Sequence, residues 1–155
     1  MQFERVKIAE ATPKKSGQFH QHDGKSFVSV YSLSGLTVNV PVVVDYLGSN
    51  DALKRTVPTD PATLASSTTL IGVPEAAIAS LSFGWVQVYG ECEAVLLEAV
   101  TSGHYLQVIN TGVGFLSDGA TKTVSSLAGA IDTTTAAATA TIMLFGQPAH
   151  IAAAS

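Results

Sequence analysis

SFVSVYSLSGLTVNVPVVVDYL, residues 26–47, decides the fold class. Residues 26–33 alternate apolar and polar positions and stop at Ser34-Gly35. Beyond it, Leu36, Val38, Val40, Val42, Val44 and Tyr46 fall on one face of an extended chain, with Thr37, Asn39, Pro41, Val43 and Asp45 on the other. A period of two held over a dozen residues is the pattern of a strand and is incompatible with a helix of 3.6 residues per turn. Pro41 lacks the amide hydrogen a ladder needs, so this strand is expected at a sheet edge or bent at that point.

Outward from there the same signal recurs. FGWVQVY (83–89), CEAVLLEAV (92–100), YLQVI (105–109) and TATIMLF (139–145) read as strands, the first two parted by Gly90, the next pair by Ser102-Gly103. A further strand is expected over 121–127. Asp118-Gly119 suits a tight hairpin turn. Residues 48–69 carry Gly48, Pro58, Asp60-Pro61 and a Ser/Thr cluster and read as loop. PEAAIASL, 74–81, has Pro at its first position and alanines after it, which predicts a short helix. The segment 132–140 balances helix-favouring alanines against threonines and reads as loop running into the last strand. The result is a mainly β chain of seven to nine short strands, a small β-barrel or sandwich with one or two short helices. Residues 1–25 hold one alternating stretch, in which Val6 and Ile8 are in register and Phe3 is not, followed by TPKKSGQ; they read as an extended N-terminal arm, with 26–155 as one domain.

Composition narrows the function. Of 155 residues 46% are apolar and only 13% are charged, about half the roughly 25% of an ordinary soluble domain. Ser and Thr fill 31 positions, covering part of the surface with hydroxyls. The rest of an exterior so poor in ionic side chains is expected to lie against other subunits. Seven of the eight basic residues precede Thr56, and none lies between Thr56 and Thr121, so the body lacks the cations that displace counterions from nucleic acid. A net charge of −4 gives no attraction to anionic lipid, and no apolar run reaches the ~18 residues of a membrane-spanning helix. MQFERVKIAE has no continuous apolar segment of the secretory type, so synthesis in a cytoplasm is expected.

Catalytic and metal-binding patterns are weak. His20 and His22 project to the same side of an extended segment, but a third ligand would have to come from His104 or His150, and a solvated turn or intersubunit hydrogen bonding suits them better. The single Cys92 between Glu91 and Glu93 has like charge opposing its thiolate, the reverse of an activated nucleophile. Glu91 and Glu93 share a strand face with Glu98 out of register, no serine sits in a G-x-S-x-G turn, and Gly112-Val-Gly114 lacks the remainder of a phosphate loop. No enzyme activity, cofactor or metal is expected.

The aromatic strand carries more. Phe83, Trp85, Gln87 and Tyr89 alternate with Val86 and Val88, so one set faces a core while the aromatic set is free to meet a neighbouring subunit. The alternative is that both faces of this strand are core; the low charge of the region favours the exposed reading, and these four, with Phe3, Val6 and Ile8 of the arm, are the candidate interface residues.

Thr69-Leu-Ile-Gly-Val73, the alanine-containing segment, then G-W-V-Q-V-x-G at 84–90, Ser102-Gly103 before a strand, and Ala140-Thr-Ile-Met-Leu-Phe145 after a small-residue link occur in an order that resembles the capsid decoration (cement) proteins of tailed phages. The resemblance spans residues 70–146. It implies a β-barrel-like domain that forms homotrimers on the outer capsid surface, contacts the major capsid protein and stabilises the expanded shell against the pressure of packaged DNA. It also implies an N-terminal arm that reaches across capsomers or completes a neighbour's sheet. Residues 26–61 correspond to nothing in that pattern, and alanines 136–138 stand where a glycine-containing link is expected. Two alternatives remain at this level: a tail, fibre or bacterial surface component of the same composition, or a small β-barrel enzyme or ligand-binding module centred on His20, His22 and His104.

Overall fold

The computed structural model describes residue 13 and residues 16–44, 69–108, 113–122, 126–146 and 148–149. Ten strands run through them: β1 (Phe19–His22), β2 (Lys25–Ser32), β3 (Val42–Val44), β4 (Thr69–Pro74), β5 (Ser82–Leu96), β6 (Tyr105–Gln107), β7 (Leu116–Gly119), β8 (Ala128–Ala130), β9 (Ala138–Phe145) and β10 (Pro148–Ala149). The main order is β1-β2-β5-β9-β8-β6-β7, and β4 joins β5 while also pairing β3 and β10. Every ladder is antiparallel. The fold is mainly β, of the sandwich or barrel kind.

The alternating run falls in β2 as far as Ser32, with Val28 and Val30 buried. Its partner β1 comes from residues whose composition suggested an arm. Asp23 (φ 52°) and Gly24 (φ 72°) join the two strands, and two successive positive φ values are what a tight two-residue hairpin turn matched to sheet twist requires. The sheet therefore begins at Phe19, while residues 1–12 lie outside the described residues.

β5 organises the molecule. The aromatic segment and the acidic segment as far as Leu96, expected as two strands, are one strand of 15 residues, continuous through Gly90, whose φ of 99° carries the chain past the hairpin turn; residues 97–100 lie beyond it. Along its first half β5 pairs β2, along its second half β9. Ser26 pairs Tyr89 but Phe27 pairs Gln87, so Val88 is an extra residue in the ladder. Such a bulge reverses which face of the strand later residues present. Accordingly Val86 and Val88 join Val28, Val30, Leu36, Val42, Val44 and Ile78 in one hydrophobic cluster. Cys92, Ala94 and Leu96 join Leu106, Phe115, Ile142 and Leu144 in another. β4 divides in the same manner: Ile71 and Val73 belong to the second cluster, while Leu70 packs on the first.

Further expectations are corrected, among them the strand expected over 121–127, since residues 121, 122, 126 and 127 are not in a strand and β8 starts at Ala128. Residues 74–81 are not helical, and no helix occurs among the described residues. Pro74 ends β4, and Ile78 exchanges two backbone hydrogen bonds with Leu36 (2.8 and 3.0 Å) while its side chain is buried beside Gly84. A buried isoleucine with two long-range backbone bonds outweighs the few tenths of a kcal/mol per residue that alanines add to a helix. Residues 36–44 are not one strand either. Asn39 adopts φ 64°, its amide donates to the Pro74 carbonyl and its carbonyl accepts from Val95, so the chain turns before Pro41 and β3 is only three residues long. Leu36, Val42 and Val44 are buried as the alternation implied, Val38 is exposed, and Tyr46 lies outside the described residues. Finally, Asp118-Gly119 ends β7 against Tyr105 and forms no hairpin turn. The segment 131–137 is loop leading into β9, as its composition indicated.

Candidate interaction surface

Of the four aromatic-strand positions, the structure keeps two together. Tyr31 and Phe83 are register partners, their rings edge-to-face with centroids 4.9 Å apart. Trp85 follows opposite Ser29, and His20 on β1 stands edge-to-face against it at 6.0 Å. Four rings thus cross three adjacent strands on one side of the sheet, all of them partly exposed. Edge-to-face contact aligns the positive rim of one ring with the negative face of the next and holds each in a fixed orientation.

Gln87 is not part of that surface. It is fully buried, paired on one side with Phe27 and on the other with Val73. Its Nε2 donates to the carbonyls of Tyr89 (3.0 Å) and Glu91 (2.7 Å), while its Oε1 has no hydrogen-bond partner among the described residues. The side chain satisfies backbone carbonyls where β4 ends and β9 begins along β5, a structural duty that a strand-face reading from alternation could not reveal. Tyr89, past the bulge, pairs with Ser26 and Phe145. It lines a shallow open groove of about 350 Å³ with the β1–β2 turn. Phe3, Val6 and Ile8 lie outside the described residues.

Two exposed leucines that are not among the candidate residues lie next to these rings in the chain. Leu33 follows β2 and Leu81 precedes β5, flanking the terminal pair Ser32–Ser82. They are 56% and 67% exposed. Leu81 has φ 58°, the left-handed region that costs an L-residue about 1–2 kcal/mol. No sequence signal distinguishes it, since the strain comes from the turn linking Ile78 to β5.

The titratable residues serve the framework. The Glu93 carboxylate accepts from the Thr141 hydroxyl (3.0 Å), Glu98 accepts from the Ser117 amide (2.7 Å), and Glu75 pairs with Lys25 at 3.6 Å. His22 stands 3.3 Å from Asp23 in the hairpin turn, apart from the ring contact of His20. His104 lies in the loop before β6, where its carbonyl accepts from Ala130, and His150 lies outside the described residues. Among the described residues no group of three His, Cys, Asp or Glu is placed to hold a metal ion. Cys92 is buried, and burial pushes its thiol up to about 12; the nearby Lys25 opposes this, and Glu75 and Glu93 add to it. Like charge is therefore the lesser cause, and desolvation the main one.

No known family model matches the chain, and no curated protein does either. Among solved structures, the head fiber gp8.5 N base of bacteriophage phi29 is similar, with a TM-score of 0.53 and 10% identity over 79% of this chain and 95% of that one. At that identity the likeness is one of fold.

Proposed function

We propose that this chain is a non-enzymatic structural protein of a phage virion, a decoration protein that oligomerises, as a homotrimer, on the outer head shell and stabilises it. What carries the reading is the agreement of two independent indications. The G-W-V-Q-V-x-G string and its flanking order resemble head decoration proteins, and the fold over four-fifths of the chain is similar to that of a phage head fiber base. The sparse charge and the half-exposed aromatic face suit a protein that works by contact. Each bound oligomer adds favourable contacts to the closed shell and none to the ruptured one, and repetition over many sites multiplies a small gain.

The likeness to a head fiber favours a second reading within the same class, in which the domain is the shell-bound part of a fibre. Incubation of the purified chain with empty heads and with isolated tails, followed by co-sedimentation, tests both. Saturable binding to heads with a raised temperature of head disruption is the expected result for a decoration protein. Binding to heads without added stability favours the fibre reading, and binding to tails alone or to neither refutes both.

A further inference from the structure

We infer that the uncharged tip formed by Leu33 and Leu81, with the ring strip Tyr31, Phe83 and Trp85 behind it, is the surface through which one copy of this chain meets the next. The inference rests on the structural-protein reading above and adds to it the residues that make the contact.

Three observations carry it. The first is proximity along the ladder: Leu33 and Leu81 directly follow and precede its terminal pair Ser32–Ser82, Tyr31–Phe83 is the next pair inward, and Trp85 lies two positions further along β5 on the side of Phe83. Exposed Ser34 and Ser80 and half-exposed Ser82 border it, giving an apolar centre with a hydroxyl rim, the usual anatomy of a protein contact.

The second is strain. Leu81 holds a bulky side chain outward in a backbone conformation that Gly or Asn adopts with less cost. Packing among the described residues does not repay this, since the side chain is two-thirds exposed. A strained residue kept at an exposed apolar position is accounted for by a partner that covers it.

The third is charge, and it selects the occupant. Residues 26–44 and 76–90, which supply the whole tip and strip, contain no Asp, Glu, Lys or Arg. A partner with ionic groups at the contact would have to desolvate them with nothing to pair. A second copy presents an equally uncharged surface. Near a rotation axis, moreover, side chains face their own copies, where like charges repel and leucines do not.

Sedimentation velocity and urea titration of the full chain test this, comparing wild type with Leu81→Asn, Leu33→Asn and the control Val113→Asn, whose residue is equally exposed but lies in the loop before Phe115. Because Asn accepts the left-handed conformation, Leu81→Asn is expected to weaken self-association about tenfold or more while leaving the urea midpoint of the dissociated chain unchanged or higher. Leu33→Asn weakens association likewise, and Val113→Asn does not. Association of Leu81→Asn as tight as wild type overturns the inference, and so does a fall in its urea midpoint that matches the loss of association, since the leucine then serves only its own chain. A wild-type chain that binds heads but is monomeric at tens of micromolar overturns the choice of occupant and the homotrimer, and leaves only head binding standing. An oligomeric wild type that Leu81→Asn dissociates, but that ignores heads, supports the surface and refutes the shell reading.

Discussion

Replacing Gly90 with alanine isolates the requirement that lets one strand serve two cores. Gly90 has φ 99°, and a Cβ built there would lie 2.7 Å from the Gly24 carbonyl oxygen and 3.2 Å from the Lys25 Cα, both backbone atoms of the β1–β2 turn. Gly103 provides the reference, with a similar φ of 86° and nothing within 4 Å of its Cβ position. Alanine at Gly103 loses about 1–2 kcal/mol to the left-handed conformation and regains about 0.4–1 kcal/mol from the stiffer unfolded chain, a net loss near 1 kcal/mol. Alanine at Gly90 incurs the same net loss and must also push the hairpin turn off the strand. Overpacking against atoms that cannot rotate away costs a further ~1–3 kcal/mol, so the total is about 2–4 kcal/mol. Urea denaturation at matched protein concentration, monitored by tryptophan fluorescence, measures both. Gly90→Ala is expected to lower the midpoint clearly more than Gly103→Ala at similar slope. Equal midpoints would mean that the approach of the turn to β5 is looser than described and that Gly90 matters only for its φ.

Three further expectations follow from buried groups. Gln87→Glu exchanges a two-bond donor for a group that ionises beside two carbonyls; burial raises its folded-state pKa above the unfolded ~4.3, so the variant is nearest wild type below that pH and loses stability as pH rises through the folded pKa. A deficit of ~2 kcal/mol or more at pH 8 that narrows at pH 4 is expected in urea titrations, and a deficit independent of pH would count against the carbonyl contacts. Cys92, its thiol pushed up to about 12 by burial, is expected to resist a water-soluble disulfide reagent at pH 8 and to react only as the chain unfolds; prompt labelling of the native protein would contradict its placement. Phe115→Ala, which empties a fully buried position in the larger cluster, is expected to cost about 3–5 kcal/mol by denaturant titration, and a loss under 1 kcal/mol would place Phe115 outside the core.

What the sequence disclosed tracks how local each cause is. β2 and the body of β5 were legible because alternation is a property of neighbours, and burial of Val28, Val30, Val86 and Val88 follows it directly. The failures share a nonlocal cause. Alanines at 76, 77 and 79 favour helix until Leu36, forty residues earlier, supplies the backbone partner of Ile78. Asn39 breaks the alternating run because Pro74 and Val95 bind its backbone. Two Asp-Gly pairs are equally plausible turns on paper, and only pairing of the flanking strands selects Asp23-Gly24. The candidate surface was half legible: Phe83 and Trp85 remain on it, and Gln87 leaves it for the seam between β4 and β9. A bulge at Val88, invisible in the residue pattern, separates Tyr89 from the aromatic set.

That β5 borders both hydrophobic clusters has a mechanical corollary. A tug on the β1–β2 hairpin is carried along the girder of β5 into the β9 ladder, because no hinge of separate chain lies between the two halves. Neither cluster can yield by itself: loosening one withdraws a wall of the other. Slow, uniform amide exchange across β5 and β9, without an early-melting half, is the behaviour such shared construction imposes.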